Sequence, residues 1–225
     1  SLQKITISTT VTEIGESSFE NCTGLTELII PLSVSTIGMN AFKDCSSLEK
    51  LTITASIKSL NEHAFKGCTN LTHINITEGT TVISDSVFKN LTTLKTINIP
   101  RTITEICNNS FENCTSLREI TIPENVTKIG HSAFKNCSSI NDINIKTEKI
   151  TILEKSTFFG CASLKQFTIP NSITHISSNS FQNCLKLEEI VIPSNVTTIE
   201  NSSFKGCSSL QKITISTTVT EIGES

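Results

Sequence analysis

Tryptophan and tyrosine are absent from this 225-residue chain, which removes the side chains that most often anchor protein interfaces and sugar sites. There is no basic excess either. Lys and Arg number 18 against 21 Asp and Glu, a net charge of −3, so no positive field calls for nucleic acid or an anionic membrane. No apolar run approaches the ~20 residues of a membrane span. The single methionine, Met39, does not open the chain, and no signal-peptide pattern is present. The expectation is a piece of something longer.

What is present is periodic. Phenylalanine forms a ladder: Phe19, Phe42, Phe65, Phe88, Phe111, Phe134, Phe158, Phe181 and Phe204. Each step is 23 residues except Phe134 to Phe158, which is 24. One unit, Leu25 to Ser47, reads L-x-x-[LI]-x-I-P-x-x-V-x-x-I-G-x-x-A-F-x-x-C-x-x. Nine full units occupy 2–163 and 164–209, and a partial tenth runs to 225. Position six is Ile in every unit, and all five prolines (Pro31, Pro100, Pro123, Pro170, Pro193) stand at position seven. L-x-x-I-x-I is a short strand with alternating inward residues. Proline then ends it, because it cannot donate to a continuing ladder. V-T-x-I-G is a second extended piece, and [SA]-F-x-x-C reads as one turn of helix. No unit buries its own apolar side, so the units must stack into a single solenoid segment, 1–225. At ~4.8 Å per coil, nine coils make a rod roughly 45 Å long.

The A-F-x-x-C segment sets this unit apart from other leucine-rich repeats. The unit resembles the BspA-like class of 23-residue leucine-rich repeats, found on surface proteins of bacteria and anaerobic protists, over essentially the whole chain. The resemblance implies a right-handed, mostly β solenoid with parallel short strands and one helical turn per repeat. It implies an extracellular or cell-surface location, roles in adhesion or matrix binding, and no catalysis. The chain departs from the pattern at Leu91, which replaces the Cys; at Thr80, which replaces the apolar residue at position ten; and at an extra residue near Lys146–Lys149.

Eight of the nine cysteines form one ladder: Cys22, Cys45, Cys68, Cys114, Cys137, Cys161, Cys184 and Cys207. A single column without histidine neighbours does not assemble a tetrahedral metal site. Disulfides between adjacent coils are sterically conceivable, but an apolar Leu91 in the same slot points to buried thiols serving as small hydrophobes. Cys107 stands apart, where other units carry the turn glycine (Gly15, Gly38, Gly130), and is the expected exposed thiol. His63, His73, His131 and His175 fall at four different repeat positions. No hydrolase, zincin or phosphate-loop motif is present. No catalytic, cofactor-binding or metal-ligating residue is assigned, and the chain reads as a non-enzyme.

Two surface features remain. N-x-[ST] sequons, candidate N-glycosylation sites, occur at Asn21, Asn70, Asn75, Asn90, Asn108, Asn113, Asn125, Asn136, Asn195 and Asn201. They suit either a glycosylated, secreted protein or simply a good turn residue followed by Ser/Thr. Asn125 and Asn195, beside Pro-bounded bends, are the favoured candidates, and Asn113 and Asn136 fall one coil apart. Outward position eleven reads Thr12, Ser35, Lys58, Thr81, Thr104, Thr127, Thr151, Thr174, Thr197 and Thr220. Such a hydroxyl column is either ordinary strand chemistry or, remotely, an ice-ordering surface.

The first seventeen residues, SLQKITISTTVTEIGES, recur as residues 209–225. Framework similarity alone does not require this. Leu117–Ser132 matches Leu2–Ser17 at only nine of sixteen positions, mostly inward or turn residues. The complete match of outward residues such as Gln3/Gln211 and Lys4/Lys212 marks a second period of 208 residues. The expected role is one period of a fibre or stalk, continued covalently or by end-to-end self-association. The alternative is an adhesin whose strand face binds an extracellular host or matrix protein.

Overall fold

A computed structural model gives the fold and describes residues 2–54, 57 and 63–224. The chain winds into stacked coils, numbered here 1 to 10 from the strands that begin at residues 2, 25, 48, 71, 94, 117, 140, 164, 187 and 210. Most coils lay down two short strands among the described residues, and every strand pairing is parallel, with its equivalent one coil away.

One ladder holds the longer strands: β2 (Glu27–Ile30), β4 (Lys50–Ile53), β5 (His73–Ile76) and β7 (Thr96–Asn98) in one sheet, then β9 (Glu119–Ile122) with β11 (Asp142–Ile145), then β14 (Glu189–Val191) with β16 (Lys212–Thr214). The second ladder holds two-residue strands: β1 (Glu13–Ile14) with β3 (Thr36–Ile37); β6 (Val82–Ile83), β8 (Glu105–Ile106) and β10 (Lys128–Ile129); and β12 (Ile152–Leu153), β13 (His175–Ile176), β15 (Thr198–Ile199) and β17 (Glu221–Ile222). The alternation is strict where it matters. In β2, β5 and β9, residues one and three are exposed and two and four are buried.

The phenylalanine ladder forms the spine of the core. Phe42 to Phe181 along the column are wholly buried, and consecutive rings stack at centroid separations of 5.2 to 6.2 Å. Phe111 lies between Phe88 at 5.5 Å and Phe134 at 5.3 Å, as its place in the period requires. Phe19 and Phe204, at the two ends of the column, are half-buried.

The segment expected to be a helical turn is not helical. It is a run of tight turns, such as Glu20 N–H to Ser17 O and Cys22 N–H to Phe19 O. Two positions per unit adopt positive φ, for example Ser17 (51°) with Asn21 (60°) and Ser132 (54°) with Asn136 (59°). Alternate amides point along the rod instead: Phe111 N–H reaches Ala133 O and Asn113 N–H reaches Lys135 O, both at 2.8 Å. The reason is spatial. A helix is ~10 Å across, so one in every ~4.8 Å layer would splay that side of the stack, whereas flat turns keep both sides at one spacing. The flattened turn also explains why Ser, Asn, Asp or Gly fills most of these two positions, since those residues tolerate the left-handed region best.

The cysteines are free and do more than fill space. Each ladder thiol from Cys45 to Cys207 donates to the carbonyl of the phenylalanine one coil back, as in Cys68 Sγ to Phe42 O at 3.2 Å and Cys137 Sγ to Phe111 O at 3.2 Å. Leu91 cannot donate. There the Phe65–Phe88 separation, 6.2 Å, is the widest in the column. Burial raises these thiols: Cys45 to about 11 and Cys137 to about 12. Cys107 is half-buried, and burial together with Asp85 and Glu105 raises its pKa as well. Cys22 and Cys207 are half-buried as well.

Two measurements check this packing. Phe111→Ala removes a wholly buried ring between two others and is expected to cost about 3–5 kcal/mol in chemical denaturation. With a thiol reagent on folded protein, Cys22, Cys107 and Cys207 should label first. The six buried cysteines should label only as the protein opens, because the thiolate is the reacting form.

Candidate recognition surface

The exposed positions of the longer strands build a continuous face, and its continuity is controlled by proline. In a parallel ladder the N–H at position seven of one coil bonds the position-six carbonyl of the coil before. Thr54 N–H to Ile30 O, Thr77 N–H to Ile53 O and Lys146 N–H to Ile122 O are such bonds, at 2.9 to 3.0 Å. At those three junctions four residues pair in register. Proline has no N–H to give. Where Pro31 and Pro193 enter, only single bridges survive, Lys4 with Glu27 and Gln166 with Glu189. Where Pro123 and Pro170 enter, among the described residues no backbone bond joins β7 to β9 across coils 5 and 6, or β11 to the equivalent segment of coil 8.

Pro100 is the instructive exception. There β5 and β7 still pair over three residues. The Asn98 side-chain amide donates to Ile76 O at 3.1 Å, in place of the missing backbone donor, and also to Asn75 Oδ1 at 3.2 Å. The other prolines follow Ile29, Thr121, Thr168 or Val191 two residues earlier, none of which offers an amide. In coil 8 a second cause adds to the first. Phe167 occupies the strand position held elsewhere by Leu or Ile, and it wedges against Phe158 at 5.0 Å and Phe181 at 5.1 Å.

The seam between coils 5 and 6 is an open groove of about 470 Å³, lined by β7 and β9 and by Arg101, Glu124, Asp142 and Lys146. Ile97 and Ile99 below it are only partly buried, whereas Ile74 and Ile76 one coil earlier are buried. The charge register differs as well. Glu27 faces Lys50, and Glu189 faces Lys212, but Glu119 stands directly opposite Asp142. Like charges so placed are unfavourable. The expectations drawn from the sequence did not include this groove. Its signal was there: proline at position seven without asparagine at position five.

The histidines do not converge, and among the described residues no group of three His, Cys, Asp or Glu could hold a metal ion. His131 Nδ1 sits 3.3 Å from Glu154 Oε2. Glu200 joins two coils: one oxygen contacts His175 Nε2 at 2.6 Å, and the other accepts the Ser178 hydroxyl at 2.7 Å and its N–H at 2.8 Å. Serine bonds the carboxylate here and not the imidazole, so the trio does not form a nucleophile–base pair. Hydrogen bonds from Ser178, then from His175, hold the Glu200 carboxyl at about 2, well below the ordinary range.

The threonine column donates along the rod. Thr104, Thr127, Thr174, Thr197 and Thr220 each give their hydroxyl proton to the equivalent carbonyl one coil back, at 3.1 to 3.3 Å. Lys58, the interruption in this column, lies outside the described residues. The ladder sterically and electronically serves the stack, which favours ordinary strand chemistry over an ice-ordering role.

The sequons separate into classes. Asn90, Asn113 and Asn136 form a side-chain amide ladder, with Asn113 Nδ2 to Asn90 Oδ1 at 2.7 Å and Asn136 Nδ2 to Asn113 Oδ1 at 2.9 Å. Asn125 and Asn195 donate to Arg101 O and Asn171 O in the coil before. Asn75, Asn108 and Asn201 accept through Oδ1 from Asn98, His131 and Glu224. Asn21 and Asn70 are exposed, and among the described residues their side-chain amides make no hydrogen bond.

Two expectations follow from these contacts. The folded pKa of Glu200 is depressed, so its stabilising contribution is complete above the unfolded value near 4.5 and fades as pH falls toward about 2. Glu200→Gln should therefore lower the melting temperature at pH 7, and the gap to wild type should narrow steadily below pH 4.5. When the chain is expressed in a glycosylating secretory host, peptide mapping should find carbohydrate first at Asn21 and Asn70. Joint occupancy of Asn113 and Asn136 should be rare, because one amide bonds the other.

Comparison with known proteins agrees with this architecture. The family model described as a BspA type leucine-rich repeat region, in six copies, matches residues 1–118, 81–181 and 104–225. A leucine-rich repeat protein from Bacteroides ovatus superposes with a TM-score of 0.73 at 26% identity, over 99% of this chain and 69% of that one. A leucine-rich cell surface protein from Faecalibacterium prausnitzii gives 0.52 at 27% identity, over 92% and 83%. The pneumococcal vaccine antigen PcpA shares the fold at 18% identity, with a TM-score of 0.59 over 92% and 61%. No curated protein matches the chain. With stacked 23-residue coils, a buried Phe-x-x-Cys column and a family match spanning its length, the chain belongs to the BspA-type leucine-rich repeat family.

Proposed function

We propose that the chain is a non-catalytic structural element of a cell surface: one 208-residue period of a stacked fibre or stalk. The observation that carries this reading is how the repeated segment is used at its two places. As residues 2–16 it lies beneath coil 2, with Lys4 opposite Glu27 and Glu13 opposite Thr36. As residues 210–224 it lies above coil 9, with Lys212 opposite Glu189 and Glu221 opposite Thr198. A single copy of the segment, set between coil 9 of one period and coil 2 of the next, makes both sets of contacts. The strand column then reads Glu189, Lys, Glu27, Lys50, so the alternation of charge continues across the boundary.

The surface location rests on the family and on the name of the Faecalibacterium protein. Partnership is with further copies of the same array, by covalent continuation or end-to-end association. No helix among the described residues is long and apolar enough to cross a membrane.

Imaging the native assembly tests the reading. The expected result is a fibre in which coils continue at one spacing, each period adding roughly 45 Å at ~4.8 Å per coil. Short discrete particles would reject the fibre and leave adhesion as the better account.

A further inference from the structure

We propose that the seam between coils 5 and 6 captures an extended peptide with basic side chains, which pairs its main chain with the strand edges left open by Pro123. The two rims are β7 and β9, and no backbone hydrogen bond joins them. Open strand edges within a sheet are templates for another strand. The groove between them is floored by Ile97, Ile99 and Ile120 and has a volume of about 470 Å³.

The opening is confined to this side of the rod. Across the same junction β8 and β10 remain paired, Asn109 and Phe111 still donate to His131 and Ala133, and the Phe88, Phe111 and Phe134 rings stay stacked. The groove can therefore widen about a closed hinge without unstacking the core.

Charge selects the occupant. An extended peptide alternates its side chains, so one set meets the isoleucine floor while the other faces the rim. The β9 rim carries Glu119, with Glu124 just after it and Asp142 behind Glu119 on β11, and among the described residues none of the three has an ion-pair partner. Glu119 and Asp142 oppose each other directly. Of the two cations lining the groove, Arg101 is turned to Glu78 at 3.7 Å, which leaves Lys146 against three carboxylates. A peptide cation that reaches Glu119 from the seam offsets its repulsion with Asp142.

The test uses the 225-residue chain and fluorescent peptides. The alternating peptide Lys-Val-Lys-Val-Lys-Val should bind, and its Glu-Val counterpart and a backbone N-methylated Lys-Val version should each bind at least about tenfold more weakly. Glu119→Gln should weaken the basic peptide alone. Pro123→Thr restores the donor toward the Ile99 carbonyl, and Thr121→Asn copies the device seen at Asn98. Whichever of these slows hydrogen exchange at the Ile97 and Ile99 amides has closed the seam, and it should lose peptide binding about tenfold or more. The proposal is overturned by an absence of binding, by equal affinity for the acidic or N-methylated peptide, or by undiminished binding to a variant whose Ile97 and Ile99 amides have become protected.

Discussion

Paired β-strands lie ~4.8 Å apart, and in this chain every coil must fit inside a layer of that thickness. The constraint reaches well beyond the strands. It flattens the Phe-x-x-Cys segment into turns with two left-handed residues per unit, because a helix would force the layers apart. It sets identical side chains directly above one another, so the phenylalanine rings stack, the asparagine amides bond in a row, and the threonine hydroxyls reach back one coil. It leaves the cysteine thiol as a donor short enough to reach a phenylalanine carbonyl without crowding the layer.

The layers are held by redundant ladders whose defects do not coincide. At coils 5 and 6, and again at 7 and 8, the longer strands are unpaired while the two-residue strands pair. At coils 6 and 7 the arrangement is reversed. β9 and β11 pair over four residues, but β10 and β12 do not, because the extra residue near Lys146–Lys149 falls between them. Thr147 fills that gap, buried, with its hydroxyl on Val126 O at 2.7 Å. The turn segment continues through all three junctions, as in Phe111 to Ala133, Phe134 to Thr157 and Phe158 to Ser180. The rod therefore keeps a continuous core while its strand face opens at defined places.

Much of this was legible in one dimension. Phe111 and Ile122 are buried at the depth their repeat positions imply, and the parallel stacking follows from a unit too small to bury its own apolar side. The proline positions were equally visible, but they read as simple strand terminators. Their larger effect depends on what lies two residues before each proline and on which carbonyl in the neighbouring coil loses its donor. Asn98 rescues its junction and Thr121 does not, although both are unremarkable polar residues in their own coil. Likewise the Glu119–Asp142 opposition joins residues 23 apart, and nothing in either residue's local sequence announces it.

The sequence by itself determined the period, the inward and outward faces, the identity of the core columns and the 208-residue recurrence. These depend on residue type at fixed spacing, and a stacked repeat converts spacing directly into position. Only the tertiary structure decided how adjacent coils meet: which junctions zip, which open, which asparagine amides are engaged, and whether the turn is a helix. Those outcomes are set by hydrogen bonds between residues 21 to 27 apart and by the space available between layers. Neither is a property of any one unit.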